Sequence, residues 1–200
     1  MMLALIVVAA AVGLSYAGFR ATRAAYASAP YQVVRTEGLF ELRDYPALTL
    51  VETAMSSGGN RADGSFSRLF GYITGRNEQQ QKISMTTPVF ISGAETNQKM
   101  AFVLPAEFSA GQAPRPAGGA VVVRQVPAGR FAVLRFRGAR GARQEAEALR
   151  RLTAWMTAQR LAVLSPPVYG YFDPPWTPGW FRRNEVMLRV QPDTEGSPMP

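Results

Sequence analysis

Three stretches of the chain concentrate side chains able to grip another molecule. The first, LFGYITGRNEQQQKISMTTPVFI at 69–91, brings Tyr72, Lys82 and Met85 into one short span. A thioether is polarizable and an ammonium carries charge, so Met85 and Lys82 together suit a flat apolar anion. The second, YGYFDPPWTPGWFRRNEV at 169–186, interleaves aromatics, Trp176 among them, with Pro174, Pro175 and Pro178 and ends on Arg182 and Arg183. Such a stiffened aromatic connection reads as a lid, and its guanidinium forks match carboxylates. The third is Glu185, which opens the apolar run Val186-Met187-Leu188. An inward carboxylate there needs a cationic partner, and Arg183 or an arginine on a neighbouring strand can supply it.

The absent residue types narrow the chemistry. With no His and no Cys, a classical triad, thiolate catalysis, disulfides and the usual zinc sites are excluded. No second acid or activated nucleophile marks a hydrolase around Glu185, so the reading is a binding protein and not an enzyme. The formal net charge is +8, carried by 20 Arg against 2 Lys that are scattered with no basic run of five. That distribution points to no nucleic-acid partner.

The elements that must position these residues repeat. LRDYPALTLVE at 42–52 aligns with VRQVPAGRFAV at 123–133, placing Arg43 on Arg124, Pro46 on Pro127 and Ala47 on Ala128, an offset of 81 residues. NQKMAFVLP at 97–105 aligns with NEVMLRVQP at 184–192, an offset of 87. Between them lie two helix candidates. Asp63 to Thr74 places Phe66, Leu69, Phe70 and Ile73 at i, i+3, i+4 and i+7, with Gly75 as its stop. Ala142 to Arg160 puts Leu149, Leu152, Trp155 and Met156 on one side. A Pro-Val step follows each, at Pro88 and Pro167. The pattern predicts an α+β fold of two ββαββ units, joined by the Pro/Gly-rich stretch 105–119, whose two helices pack on a shared antiparallel sheet of about eight strands. A cleft at the join is a usual place for a small-molecule pocket.

Residues 1–19 carry no charge, and as a helix they would reach about 28 Å. Ala25-Tyr26-Ala27 offers a cleavage site before Ser28. We therefore expect 1–27 to act as a signal peptide or membrane anchor, with the protein exported and either periplasmic or held at the inner membrane. Residues 28–191 form the folded domain, and 192–200 a disordered tail.

The segments KISMTTPV, LFGYITGRN, FELRDYP at 40–46 and FDPPWTPGWFRRNEV resemble the SOUL haem-binding protein family, in order, from about Tyr31 to Val190. The resemblance implies a twisted eight-stranded, barrel-like sheet with two helices, related to GyrI-like effector-binding domains. It also implies a noncatalytic carrier or buffer for haem or another tetrapyrrole, a small-molecule partner. The alternative is an effector-binding or scavenging domain for another planar apolar molecule. Some relatives have a proposed His axial ligand. This chain has none, so the expected site, built from Tyr72, Lys82, Met85, Trp176, Arg182, Arg183 and Glu185, captures its ligand by apolar contact and charge pairing; if a haem iron is ligated, Tyr45, Tyr72, Met85 and Met100 are the candidates the resemblance leaves.

Overall fold

A computed structural model describes residues 26–56, 63–94, 96–108, 111–174 and 176–191. The expected N-terminal export segment, apart from Tyr26 and Ala27, and the expected tail at 192–200 lie outside the described residues. The chain runs β1 (Ala27–Ser28), β2 (Gln32–Glu37), β3 (Phe40–Tyr45), β4 (Leu48–Ala54), α1 (Ser65–Ile73), β5 (Thr86–Thr87), β6 (Val89–Ser92) and β7 (Lys99–Val103). It continues with β8 (Val122–Val126), β9 (Gly129–Phe136), α2 (Ala142–Ala158), β10 (Val168–Tyr171), a 3-10 turn at Gly179–Phe181 and β11 (Asn184–Val190).

Nine strands form one antiparallel sheet in the order β2-β3-β9-β11-β10-β6-β7-β4-β8, and β1 pairs with β5 separately in parallel. The expected duplication is present: β3-β4-α1-β6-β7 corresponds to β8-β9-α2-β10-β11, and the two units meet where β6 pairs with β10. The sheet differs from expectation in two respects. It gains β2 as an added edge strand, and it does not close, since β2 and β8 are its ends.

The first strand of each unit is also exchanged. Although only Pro46 and Ala47 separate β3 from β4, β3 pairs with β9 and β4 with β8. Each Pro-Ala turn therefore carries the chain from one half of the sheet to the other. A Pro turn between two short strands looks the same in sequence whether the strands pair or part.

Both helices cover one face. α2 buries Leu152, Trp155 and Met156 against Leu42, Ala132, Leu134, Val186 and Leu188, while α1 buries Leu69, Tyr72 and Ile73 against Val51, Ile91, Met100 and Phe102. Leu69 and Leu152, fully buried, are worth about 1.5–3 kcal/mol each. The opposite face has its own apolar centre of Leu50, Phe90, Ala101, Val103, Val133 and Met187, on which Ala29 is laid down. With both faces covered, β11 reads as a nearly continuous buried run. Helix α1 stops as expected: Gly75 has φ +111°, and the Thr74 amide donates to the Phe70 carbonyl.

Candidate functional site

The structure divides the seven expected site residues between two places. Tyr72, Lys82 and Met85 gather at the C-terminal half of α1. The Ile83 amide donates to the Ile73 carbonyl at 2.8 Å, which brings the 81–85 loop back along the helix end. Met85 packs half-buried into the cluster that contains Tyr72, and Lys82 beside Ile83 is exposed. Tyr72 is buried, donates its hydroxyl to the Pro114 carbonyl at 2.7 Å, and has its pKa pushed up by burial.

One flank of α1 departs from the expected pattern, although Phe66 still meets the buried Phe102 of β7, with ring centroids 5.3 Å apart. Phe66 and Phe70, expected to point inward with Leu69 and Ile73, instead stack on each other, 5.8 Å apart and 14° from parallel, and are 44% and 47% exposed. Two half-exposed parallel rings on a short helix form an aromatic platform. Arg76, one turn past the helix, is exposed and its stem lies against Gly71. On the opposite flank of the helix a groove of about 270 Å³ runs between Arg68, Tyr72, Arg76 and the segment 116–121. That volume lies below what encloses a drug-sized ligand, so it fits a ligand's edge and not its whole ring. Arg68 is spent on structure: its Nε donates to Thr53 Oγ1, Nη1 to the Asp63 carbonyl and Nη2 to the Ala54 carbonyl.

The second place is a buried ion network on the sheet face opposite the helices. β3, β9 and β11 are neighbours, and their registers put Glu41, Arg43, Arg135 and Glu185 on one side of the sheet. Arg43 Nη1 and Nη2 donate to Glu185 at 2.7 and 2.9 Å, while its Nε donates to Glu41 at 2.6 Å. Arg183 Nε and Nη2 donate to Glu185 at 3.0 and 2.6 Å, and Arg135 pairs with Glu41 at 2.8 Å. Burial alone would raise the Glu185 pKa, but the bonds and field of Arg43 and Arg183 hold it below the usual carboxylate range. Tyr45 accepts from Arg43, and its burial pushes its pKa up to about 12. Tyr31 lies over the Arg43 guanidinium at 4.2 Å. Both partners foreseen for Glu185 are there, the adjacent Arg183 and, on the neighbouring strand β9, Arg135 at 3.4 Å; Arg43 reaches it from β3, one strand further.

The aromatic connection between β10 and β11 holds the remaining residues. Arg183 donates its amide to Asp173 and stacks over Phe172 at 4.1 Å, and Arg182 Nε donates to the Thr177 carbonyl at 2.7 Å. Trp176 and its neighbour Trp180 are 81% and 69% exposed.

A haem iron finds no ready axial ligand in Tyr45, Tyr72, Met85 or Met100. Tyr45 and Tyr72 are buried with engaged hydroxyls, and Met100 is buried with the Ser65 hydroxyl 3.6 Å from its sulfur. Met85 is packed into the α1 cluster. The donor set fits a stacked ring better than a coordinated metal.

A duplicated ββαββ unit with both helices on one face of an open antiparallel sheet defines an α+β class of fold. The chain belongs to the SOUL heme-binding protein family, whose model matches residues 26–189. No curated protein matches it by sequence. Among solved structures it is similar to the EcmrR C-terminal domain, at 13% identity and a TM-score of 0.57 over 80% of this chain and 98% of that one. It is also similar to EcmrR in a complex with DNA, at 12% identity and a TM-score of 0.59 over 76% of this chain and 58% of that one. A hydrolase from Listeria innocua, 7% identical, matches with a TM-score of 0.56 over 79% of this chain and 94% of that one. At these identities the likeness is one of fold.

Proposed function

We propose that the protein is a noncatalytic carrier or buffer that binds haem or another tetrapyrrole by its ring and its carboxylates, without an iron ligand from the chain. The observation that carries this reading is the parallel, half-exposed Phe66-Phe70 pair, in a member of a heme-binding family. Two offset phenyl faces offer a planar ring the stacking that they already make with each other. Arg76 and Lys82 flank the end of the same helix and supply charge for propionates. The carboxylate of Glu185, the strongest candidate for chemistry in the sequence, is neutralised by arginines on both sides, which supports a binding role over a catalytic one.

Titration with haemin and with iron-free protoporphyrin tests this. Stacking predicts affinities within about tenfold of each other, because an axial bond would add more than the roughly 1.4 kcal/mol that tenfold represents. Phe66→Ala with Phe70→Ala should weaken both ligands by about tenfold or more, at about 0.5–1.5 kcal/mol per ring. Haemin binding a hundredfold tighter than the free ring, with a protein-ligated iron spectrum, overturns the reading. So does a failure of both porphyrins to bind at micromolar concentration.

A further inference from the structure

We infer that the end of the sheet carrying the β10–β11 connection is a membrane-docking surface for a bilayer with anionic headgroups. Three loops meet there. The Arg135 amide donates to the Leu39 carbonyl in the β2–β3 turn, and the Gly138 amide donates to the Gly179 carbonyl at 3.1 Å, tying the β9–α2 loop to the 3-10 turn. The outer side chains of these loops are Leu39, Trp176 and Trp180, at 50%, 81% and 69% exposure, together with the exposed Arg137 and Arg143. Tryptophan fits the boundary between headgroup and hydrocarbon because its ring is apolar and its N–H is not. Arginines beside it fit lipid phosphate.

Of the carboxylates at this end, Glu145, Glu147 and Glu185 are paired with arginines. Asp173 accepts the Arg183 amide, and Glu145 is held by the Tyr171 hydroxyl at 2.5 Å and by Arg140 at 3.7 Å. Glu147 pairs with Arg150, Glu185 with its arginines, and Glu37 accepts from Gln159.

The course of the chain supplies an independent argument. β6 begins at Val89 opposite Tyr171, the last residue of β10, so β5 just before it lies at this same end. β1 pairs with β5 there, Ala27 beside Thr86. The described chain thus starts, at Tyr26, on the side that carries the tryptophans. Only six residues, 20–25, separate that point from the uncharged stretch 1–19. They span at most about 20 Å when extended. A chain tethered by 1–19 has this end within reach of the lipid.

The full chain reconstituted into vesicles of phosphatidylglycerol and phosphatidylcholine decides the matter by tryptophan fluorescence. Lipids brominated high on the acyl chain should quench emission, and Trp176→Phe with Trp180→Phe should abolish the quenching, leaving only the emission of Trp155, which is buried against Phe40. Aqueous iodide should reach the tryptophans less in vesicles than in detergent micelles. Arg137→Ala with Arg143→Ala should weaken engagement by about fivefold for each arginine removed. Emission untouched by brominated lipid, iodide access equal in vesicles and micelles, equal quenching in phosphatidylcholine alone, or no association with vesicles each overturns the inference.

Discussion

Arg43 and Glu185, 142 residues apart in the chain, face each other through two hydrogen bonds of 2.7 and 2.9 Å, and neither side chain is exposed. Removing one partner of such a pair strands a buried charge, which costs about 3–5 kcal/mol. Glu185→Gln should therefore lower the free energy of unfolding by about that amount, read by urea denaturation. Arg43→Leu with Glu185→Leu should cost less than the two single changes added together, because neither charge is then left alone. Simple additivity would show that the pair contributes no coupling.

The same carboxylate sets the response to acid. Glu185 has a lower pKa in the folded chain than its usual value. The unfolded chain therefore takes up the proton first as pH falls, and protonation favours unfolding. The stabilisation is fully present above the unfolded value, about 4.3, and is lost as pH drops through the folded one. Melting temperature should hold between about pH 5 and 7 and fall below about pH 4, and Glu185→Gln should flatten that fall. An unchanged acid limb in the variant would assign the loss to other carboxylates.

Helix and strand content was legible because the duplicated motifs carry their own punctuation, Pro46 matching Pro127 and Gly75 ending α1. The exchange of β3 and β8 between the halves was not, since no local feature of Pro46-Ala47 says whether the strands beside it pair. Periodicity placed Leu69 and Ile73 correctly but put Phe66 and Phe70 inside with them. Helix α1 is apolar on more than one flank, and the sheet beneath it covers only one. In the ion network, Arg183 was foreseeable from adjacency, and the neighbouring-strand partner was foreseeable as a need. The bidentate partner Arg43 was not, because its place follows from β3 lying beside β9 and β9 beside β11.

Separate roles for the basic residues follow from their placement. The Arg183 guanidinium is bonded to the buried Glu185, so Arg183→Ala should lower thermal stability. Arg76→Ala with Lys82→Ala should instead leave stability within about 0.5 kcal/mol and weaken protoporphyrin. The dimethyl ester of protoporphyrin, which lacks the carboxylates, should bind the double variant and the parent alike. A double variant that loses both ligands equally would remove Arg76 and Lys82 from propionate recognition.

Gly93, in the turn between β6 and β7, has φ +96°, and a Cβ built there would lie within 2.3 Å of the Asn97 carbonyl oxygen. The strained conformation and the backbone clash together make Gly93→Ala destabilising by about 1–3 kcal/mol. Gly118, which has nothing within 4 Å of an added Cβ, is the matched control. Its change to Ala should stay within about 0.5 kcal/mol in the same denaturation experiment.

The expected cleavage point before Ser28 falls inside β1, between Ala27 and Ser28. A chain beginning at Ser28 loses the pairing of Ala27 with Thr86, but it keeps the bond from the Ala29 amide to the Thr87 carbonyl at 2.9 Å. It also keeps Ala29, 4% exposed, on the apolar centre formed by Leu50, Phe90, Val133 and Met187, and Tyr31 over Arg43. A chain beginning at Gln32 loses all three contacts and opens that centre and the ion network to water. The Ser28 form should therefore be soluble and melt cooperatively. The Gln32 form should melt lower and bind a hydrophobic dye. Equal melting of the two would mean that residues 28–31 contribute nothing to this face. Aggregation of the Ser28 form, under conditions where the full chain folds in detergent, would place residues before Ser28 within the folding unit and count against cleavage there.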